Sequence, residues 1–415
     1  MIPLVRDSRI VPRLVDAYDA LKVSIPGNSL MHRVGLIAFL ALLTCGNLAP
    51  AVDVVEVDFR NEDGEAQTIQ GRLLVEAADG GVLIETRDGR FWSITPDQLV
   101  KRKPTDASFQ RLTSEQLGQR LLPEAKTRLP DQQFEVVKTK HYVICTSAGR
   151  KYAEWCGELL ERLFRAFLLH WKQKKVELSE PAHPLPIVIL ANRQQFAQYA
   201  TADEGPSAAE SQGYYSIKSN RVVLFDLTAT SQSAPAKSTA EINRKIAASP
   251  FNVATVVHEA THQIAFNSGM HTRMADNPLW VTEGMAMYFE TPDLRSRSGW
   301  RTIGKPNRVR SNQLKDAIRK KRRSSELFTS ILSEDKPFLD AKNAADSYAE
   351  AWALTYFVIK TRREQYSKYI KRLQEKKRLF WDKPEDRLRE FEECFEAQAA
   401  DIEKEYLRYM RRFTR

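Results

Sequence analysis

The chain has 415 residues and a formal net charge of +10. With 42% hydrophobic residues and only 17 Gly and 19 Pro, it is neither a low-complexity nor a collagen-like chain, and its length suffices for two or three domains. The positive balance favours anionic partners at encounter but assigns no chemistry.

Residues 31–51, MHRVGLIAFLALLTCGNLAPA, begin with Met31 and a basic pair, run through a short apolar stretch and close on Ala49-Pro50-Ala51. That order reads as a secretory signal peptide with an A-x-A-like cleavage site. The apolar run falls short of the ~20 residues a spanning helix needs. Residues 1–30 then precede the true start at Met31, and the mature chain is expected outside the cytoplasm, in periplasm, cell envelope or medium, with no transmembrane anchor. A lipid anchor on Cys45 is disfavoured because Leu43 and Thr44 leave no small residue before it. The remaining Cys145, Cys156 and Cys394 are odd in number and no disulfide scaffold; a bridge between Cys145 and Cys156 competes with two buried thiols, the preferred reading.

Residues 52–102 carry alternating runs (VVEVDF, TIQGRLLVEA, GGVLIET, RFWSI) separated by Asp-Gly-type turns, and predict a small antiparallel β module of SH3-like type. A polar connection is expected over 103–133. Between 134 and 300 the patterns mix: QFEVVKTKHYVICT reads as strand, KYAEWCGELLERLFRAFLLHW as an amphipathic helix, LPIVILA as a buried strand, and GYYSIKSNRVVLFDL as two strands about Lys218-Ser219-Asn220. Residues 227–248 read as a flexible loop or lid. From 301 to 415 the pattern is helical and basic. The fold class expected is α+β.

The segment VATVVHEATHQIAF, residues 253–266, has one formally charged residue, Glu259. Ser249-Pro250 before it and Asn267-Ser268-Gly269 after it predict a helix over 250–267. Val253, Val257, Ala260 and Ile264 share one stripe, and His258 and His262 stand one turn apart on the other. A polar face without Lys or Arg is built to meet something internal. Two imidazoles at i and i+4 can converge on one Zn²⁺, leaving the neighbouring Glu259 to handle a proton of water. A third ligand is offered by NPLWVTEGMAMYFETP, residues 277–292, a second predicted helix with Asn277 as cap and Glu283 in its middle. Gly284 costs that helix roughly 0.8–1 kcal/mol relative to Ala, a cost that fits a close helix approach.

His258-Glu259-Ala260-Thr261-His262 followed by Trp280-Val281-Thr282-Glu283-Gly284-Met285-Ala286 resembles the gluzincin zinc metallopeptidases, and most of all the peptidase-MA-like exported bacterial domains of unknown function (DUF1570-like). The resemblance covers roughly residues 135–375. It implies a mixed α/β upper lobe, a helical lower lobe, a Zn²⁺ cofactor held by His258, His262 and Glu283, and Glu259 as general base. An edge strand for extended substrate is implied within 213–226. Tyr348, in Tyr348-Ala349-Glu350-Ala351-Trp352, resembles the tyrosine with which such enzymes stabilise an oxyanion; packing is its bland alternative. One departure stands out: Met287 occupies the position of an acidic residue that orients the first histidine in many such enzymes, so another group, with Asp276 and Glu290 as candidates, must serve instead, or the ligand geometry is looser.

The bland reading of His258 and His262 is a hydrogen-bonded core pair, and of Glu283 a buried ion-pair partner. His271 reads as an exposed loop residue, with substrate binding as the alternative. The segment 301–323 has ten basic residues and one acid; a solvated helix face is its default, contact with an anionic envelope surface its functional alternative, and nucleic acid is not expected. The activity expected is hydrolysis of peptide or protein substrates by an exported zinc metallopeptidase. Its rivals are a non-catalytic zinc- or envelope-binding protein and a zinc amidase acting on a cell-wall crosslink.

Overall fold

The computed structural model describes residues 54–229, 236, 238–248, 250–291 and 300–414. The segment 1–30, residues 31–51 read as a signal peptide, Ser249 and Pro292 lie outside them. Among the described residues the architecture is α+β, with two five-stranded sheets and helices concentrated in the C-terminal half.

The first sheet contains β1 (Val54–Arg60), β2 (Ala66–Glu76), β3 (Val82–Thr86), β4 (Phe91–Ile94) and β5 (Leu99–Pro104), all antiparallel, in the order β4-β3-β2-β1-β5. Val57, Phe59, Ile84 and Ile94 form its own small core. Strand β5 was not expected from sequence: Val100–Pro104 is exposed and rich in Lys and Arg, so no apolar alternation marks it. Charge on an edge strand discourages further pairing, so the same residues that hid the strand protect it.

The expected polar connection holds a helix, α1 (Ser114–Arg128), started by a capping box between Thr113 and Gln116. Leu117, Leu121 and Ala125 bury a narrow stripe in the main core, while Pro123 in the interior argues against a helix when read locally.

The second sheet is ordered β6-β7-β8-β10-β9, built from β6 (Glu135–Lys138), β7 (Tyr142–Thr146), β8 (Leu185–Leu190), β9 (Tyr214–Tyr215) and β10 (Val222–Phe225). Its central strands β7, β8 and β10 are parallel and its outer pairs antiparallel. The run read as one strand over 133–146 is therefore a hairpin. Glu161 of helix α2 (Arg150–Lys172) holds its turn, accepting from Thr139 Oγ1 and His141 N at 2.7 Å each. Helix α3 (Arg193–Glu204) follows β8. The turn between β9 and β10 falls at Lys218–Asn220 as expected, with Asn220 left-handed at φ 62°.

The second half of the expected loop 227–248 is helix α4 (Thr239–Ala248), which buries Ile242 and Ile246 and whose Asn243 accepts from Trp155 Nε1 at 3.0 Å. Helix α5 (Pro250–Asn267) and helix α6 (Leu279–Phe289) come next. The C-terminal lobe contains α7 (Arg308–Arg319), α8 (Ser325–Ser333), α9 (Lys336–Leu339), α10 (Ala344–Thr361), α11 (Arg363–Gln374), α12 (Pro384–Phe395) and α13 (Ala399–Thr414). None of the described helices is long and apolar enough to cross a membrane. Cys145, Cys156 and Cys394 are free and buried.

The β module is bolted to the α/β lobe. Arg221, fully buried before β10, reaches Asp88 of the β3–β4 turn at 3.2 Å and Glu124 of α1 at 2.6 Å, and Arg90 pairs with Glu124 at 2.8 Å. Phe91 N donates to Lys218 O at 2.8 Å. Arg273, in the loop joining α5 to α6, stacks on the Phe91 ring at 3.7 Å and donates to Gly89 O at 2.8 Å. The module thereby braces the loop between the two helices that carry the site.

Candidate metal centre

Helix α5 spans the residues its flanking signals predict. Its apolar stripe of Val253, Val257, Ala260 and Ile264 is buried, and the opposite face is buried as well, so no side is left for ordinary solvated charge. Gln263 fastens it to the sheet by donating to Pro186 O at 2.9 Å and Asn220 O at 2.8 Å. His258 and His262 therefore project from a helix that is held rigidly.

Helix α6 begins differently from expectation. Asn277 does not cap it; its Nδ2 donates to Thr272 O and Ala275 O at 2.8 Å each. The first amide, Leu279 N, is instead taken by Asp335 Oδ1 at 3.0 Å, from a residue far along the chain. Asp276 is also committed here: Arg387 Nε donates to it at 3.0 Å and Arg387 Nη1 to Asp335 at 3.0 Å, a buried cluster that secures the start of α6. Gly284 has the close approach its cost suggested, against α10. A Cβ there would meet Thr355 Oγ1 at 2.1 Å and Ala351 O at 2.7 Å.

The two helices bring His258, His262 and Glu283 together, with one ligand atom of each lying within 4.8 Å of the others. His258 Nε2 is 3.1 Å from Glu283 Oε2 and 3.1 Å from His262 Nε2, and His262 Nε2 is 3.4 Å from Glu283 Oε1. All three residues are buried, as is Glu259. On its other side, His258 Nδ1 meets Glu290 Oε1 at 2.7 Å. Glu290 thus takes the orienting role that Met287 cannot fill, and Asp276 does not.

These contacts constrain protonation. A carboxylate at Nδ1 accepts a proton from that nitrogen and turns Nε2 inward, toward a second imidazole nitrogen and a carboxylate oxygen. Nitrogen and oxygen atoms converging in a buried space are satisfied by a proton or a cation between them. Burial acts against the His258 imidazolium, but hydrogen bonds to Glu283 and Glu290, with the charges of Glu283 and Glu259, outweigh it and hold His258 well above its ordinary value. Glu283 is held well below the usual carboxylate range, the raising effect of burial being overcome by His262 and His258. Glu290 is likewise lowered, against burial, by Arg310, His258 and Asn307. Two imidazole nitrogens and one carboxylate form a donor set that could hold a divalent metal ion.

Two contributors were not read from sequence. Asn307 caps α7 through Oδ1, accepting from Val309 N and Arg310 N, and with Nδ2 donates to Glu290 Oε2 at 2.7 Å. Arg310 lies 3.7 Å from Glu290 and 5.6 Å from the centre of the Tyr348 ring. The cap is a legible signal; the second bond of the same amide is not. Tyr348 is buried on α10, edge-on to Phe338 at 5.4 Å and under the Arg310 guanidinium. His271 is not an exposed loop residue: it is 1% exposed, against Phe266 at 5.3 Å, and burial, with the charge of His262, pulls it down to about 3.

Four of the five cations at 319–323 have carboxylate partners. Arg319, Lys320 and Arg322 converge on Asp316 at 2.8, 3.0 and 3.1 Å, and Arg323 is enclosed between Glu350 at 2.9 Å and Glu403 at 2.6 Å.

A comparison with curated proteins finds no match. Residues 252–379, which include all but the first two residues of α5 and all of α6 and α10, match the family described as Protein of unknown function (DUF1570).

Proposed function

We propose that this chain is an exported zinc metallopeptidase of gluzincin type, hydrolysing peptide bonds in a peptide or protein substrate. The observation that carries the reading is the convergence of His258, His262 and Glu283, two imidazoles and a carboxylate from adjacent helices, with ligand atoms within 4.8 Å of one another. Zinc held by these three would polarise a scissile carbonyl and acidify a water molecule.

The chain's own residues do the rest. Glu290 keeps His258 in the tautomer that presents Nε2 inward. Glu259, next to His258 and buried, accepts a proton from the attacking water and returns it to the leaving amine. Tyr348 donates its hydroxyl to the oxyanion that forms at the carbonyl. Strand β9, at the edge of the second sheet beside α5, aligns an extended substrate backbone.

The test is metal analysis of the purified protein joined to the variant Glu259→Gln. Stoichiometric zinc in both proteins, with peptide cleavage by the wild type alone, is expected. Full activity in Glu259→Gln rejects the mechanism. A zinc-loaded wild type inert on a broad peptide library moves the assignment to a non-catalytic zinc-binding protein or to a cell-wall amide substrate.

A further inference from the structure

Away from the metal centre, an open cavity of about 510 Å³ lies between the C-terminal end of α2 and one face of α11. Its wall carries Lys174, Lys175, Arg363, Lys368, Lys371 and Arg372, against the carboxylates of Glu364 and Glu375 alone. Lys368 has a carboxylate partner, Glu396 at 3.2 Å, but both side chains are more than half exposed, where such pairs contribute little. The other five cations form no ion pair among the described residues. Elsewhere, as at Asp316, neighbouring cations share a carboxylate. Here they are crowded into a concavity.

The arrangement is held in place. Ser367 Oγ donates to Lys174 O at 3.2 Å, tying the end of α2 to α11, and Lys175 turns the chain in the left-handed region at φ 60°. Burial, followed by the charges of Lys360 and Arg363, lowers Lys174 below its ordinary value. Cations at the end of α2 complement that helix's dipole, which accounts for Lys174 and Lys175. It does not account for Arg363, the first residue of α11, where the dipole is positive, nor for the basic face that follows. Like charges gathered with few carboxylate partners are stabilised by an incoming anion.

We propose that this cavity binds a multiply charged phosphate-type anion, either free in solution or as the headgroup of an anionic lipid. The basic run 319–323, where Arg319, Lys320, Arg322 and Arg323 have partners among Asp316, Asp346, Glu350 and Glu403, is the comparison surface.

The experiment is calorimetric titration of the full chain with pyrophosphate, comparing wild type, the exposed pair Lys371→Glu/Arg372→Glu, and the control pair Arg319→Glu/Lys320→Glu. Saturable binding that weakens with salt is expected for the wild type, at least about tenfold weaker binding for the cavity pair, and binding within about twofold for the control. Co-sedimentation with phosphatidylglycerol but not phosphatidylcholine vesicles, abolished in the cavity pair, identifies a lipid headgroup as the source. Pyrophosphate binding without co-sedimentation identifies a free anion. Absence of both up to about 10 mM pyrophosphate, or equal binding by a cavity pair that melts like wild type, overturns the proposal.

Discussion

Glu290 Oε1 stands 2.7 Å from His258 Nδ1, while Oε2 of the same carboxylate accepts from Asn307 Nδ2 at 2.7 Å. One side chain thus links the first imidazole of α5 to the cap of α7. Glu290→Gln is expected to weaken zinc affinity by about 10–100-fold without unfolding the protein, measured by competition with a chromophoric chelator. Asp276→Asn, which disturbs the start of α6 through Arg387, should lower stability more than it lowers metal affinity. The opposite ranking would reassign the orienting role.

Gly284→Ala forces a methyl group into Thr355 Oγ1 and the Ala351 carbonyl. A backbone carbonyl in a packed helix cannot swing aside, so the gain in helix propensity is overrun. A loss of about 1–3 kcal/mol is expected, seen as a lower melting temperature. A variant as stable as wild type would mean that α6 and α10 can part.

Arg221→Met leaves Asp88 and Glu124 facing each other with one buried cation fewer. Removing one member of a buried charge cluster costs about 3–5 kcal/mol, so urea unfolding should shift to a markedly lower midpoint. If the β module were merely tethered, a separate early transition would appear and the α/β lobe would keep its midpoint.

Acid should loosen the same interface. Asp88 is held at about 2 because Arg221, Thr86 and Arg90 outweigh burial, and Glu85 at about 2 because His183 and Arg72 do so. Both values are depressed in the folded protein, so the unfolded chain binds more protons between the ordinary carboxylate range and about 2. Their contribution is complete above that range and is lost as pH falls through it. Melting temperatures from pH 5 down to about 2 should drop steadily, and Asp88→Asn, already destabilised, should show a shallower slope.

Tyr348→Phe separates the two readings of that residue. If its hydroxyl donates to the oxyanion, kcat falls by about 10²–10³-fold while zinc content and melting temperature hold. Unchanged kcat would leave the ring to its packing against Phe338 and beneath Arg310.

By itself the sequence determined the local elements whose signals are also local. Proline and polar punctuation set the bounds of α5, the spacing of His258 and His262 put both on one face, and the apolar run of β8 marked a buried strand. It also placed Glu283 in the middle of a second punctuated helix, and the fold brings that residue to the two histidines. Where burial or charge hid the pattern, local reading failed: β5 lacks alternation, α1 contains Pro123, α4 follows a Ser/Ala-rich run, and His271 looks like an ordinary loop residue.

Tertiary structure alone decided the supports of the site. Leu279 N is capped by Asp335, His258 is oriented by Glu290 braced from α7, and the loop between α5 and α6 is braced by Phe91 and Gly89 of the β module. The physical reason is common to all of them. A hydrogen bond or ion pair between residues distant in sequence leaves no periodicity for either segment to display, and a buried polar group is satisfied by whichever partner the fold delivers.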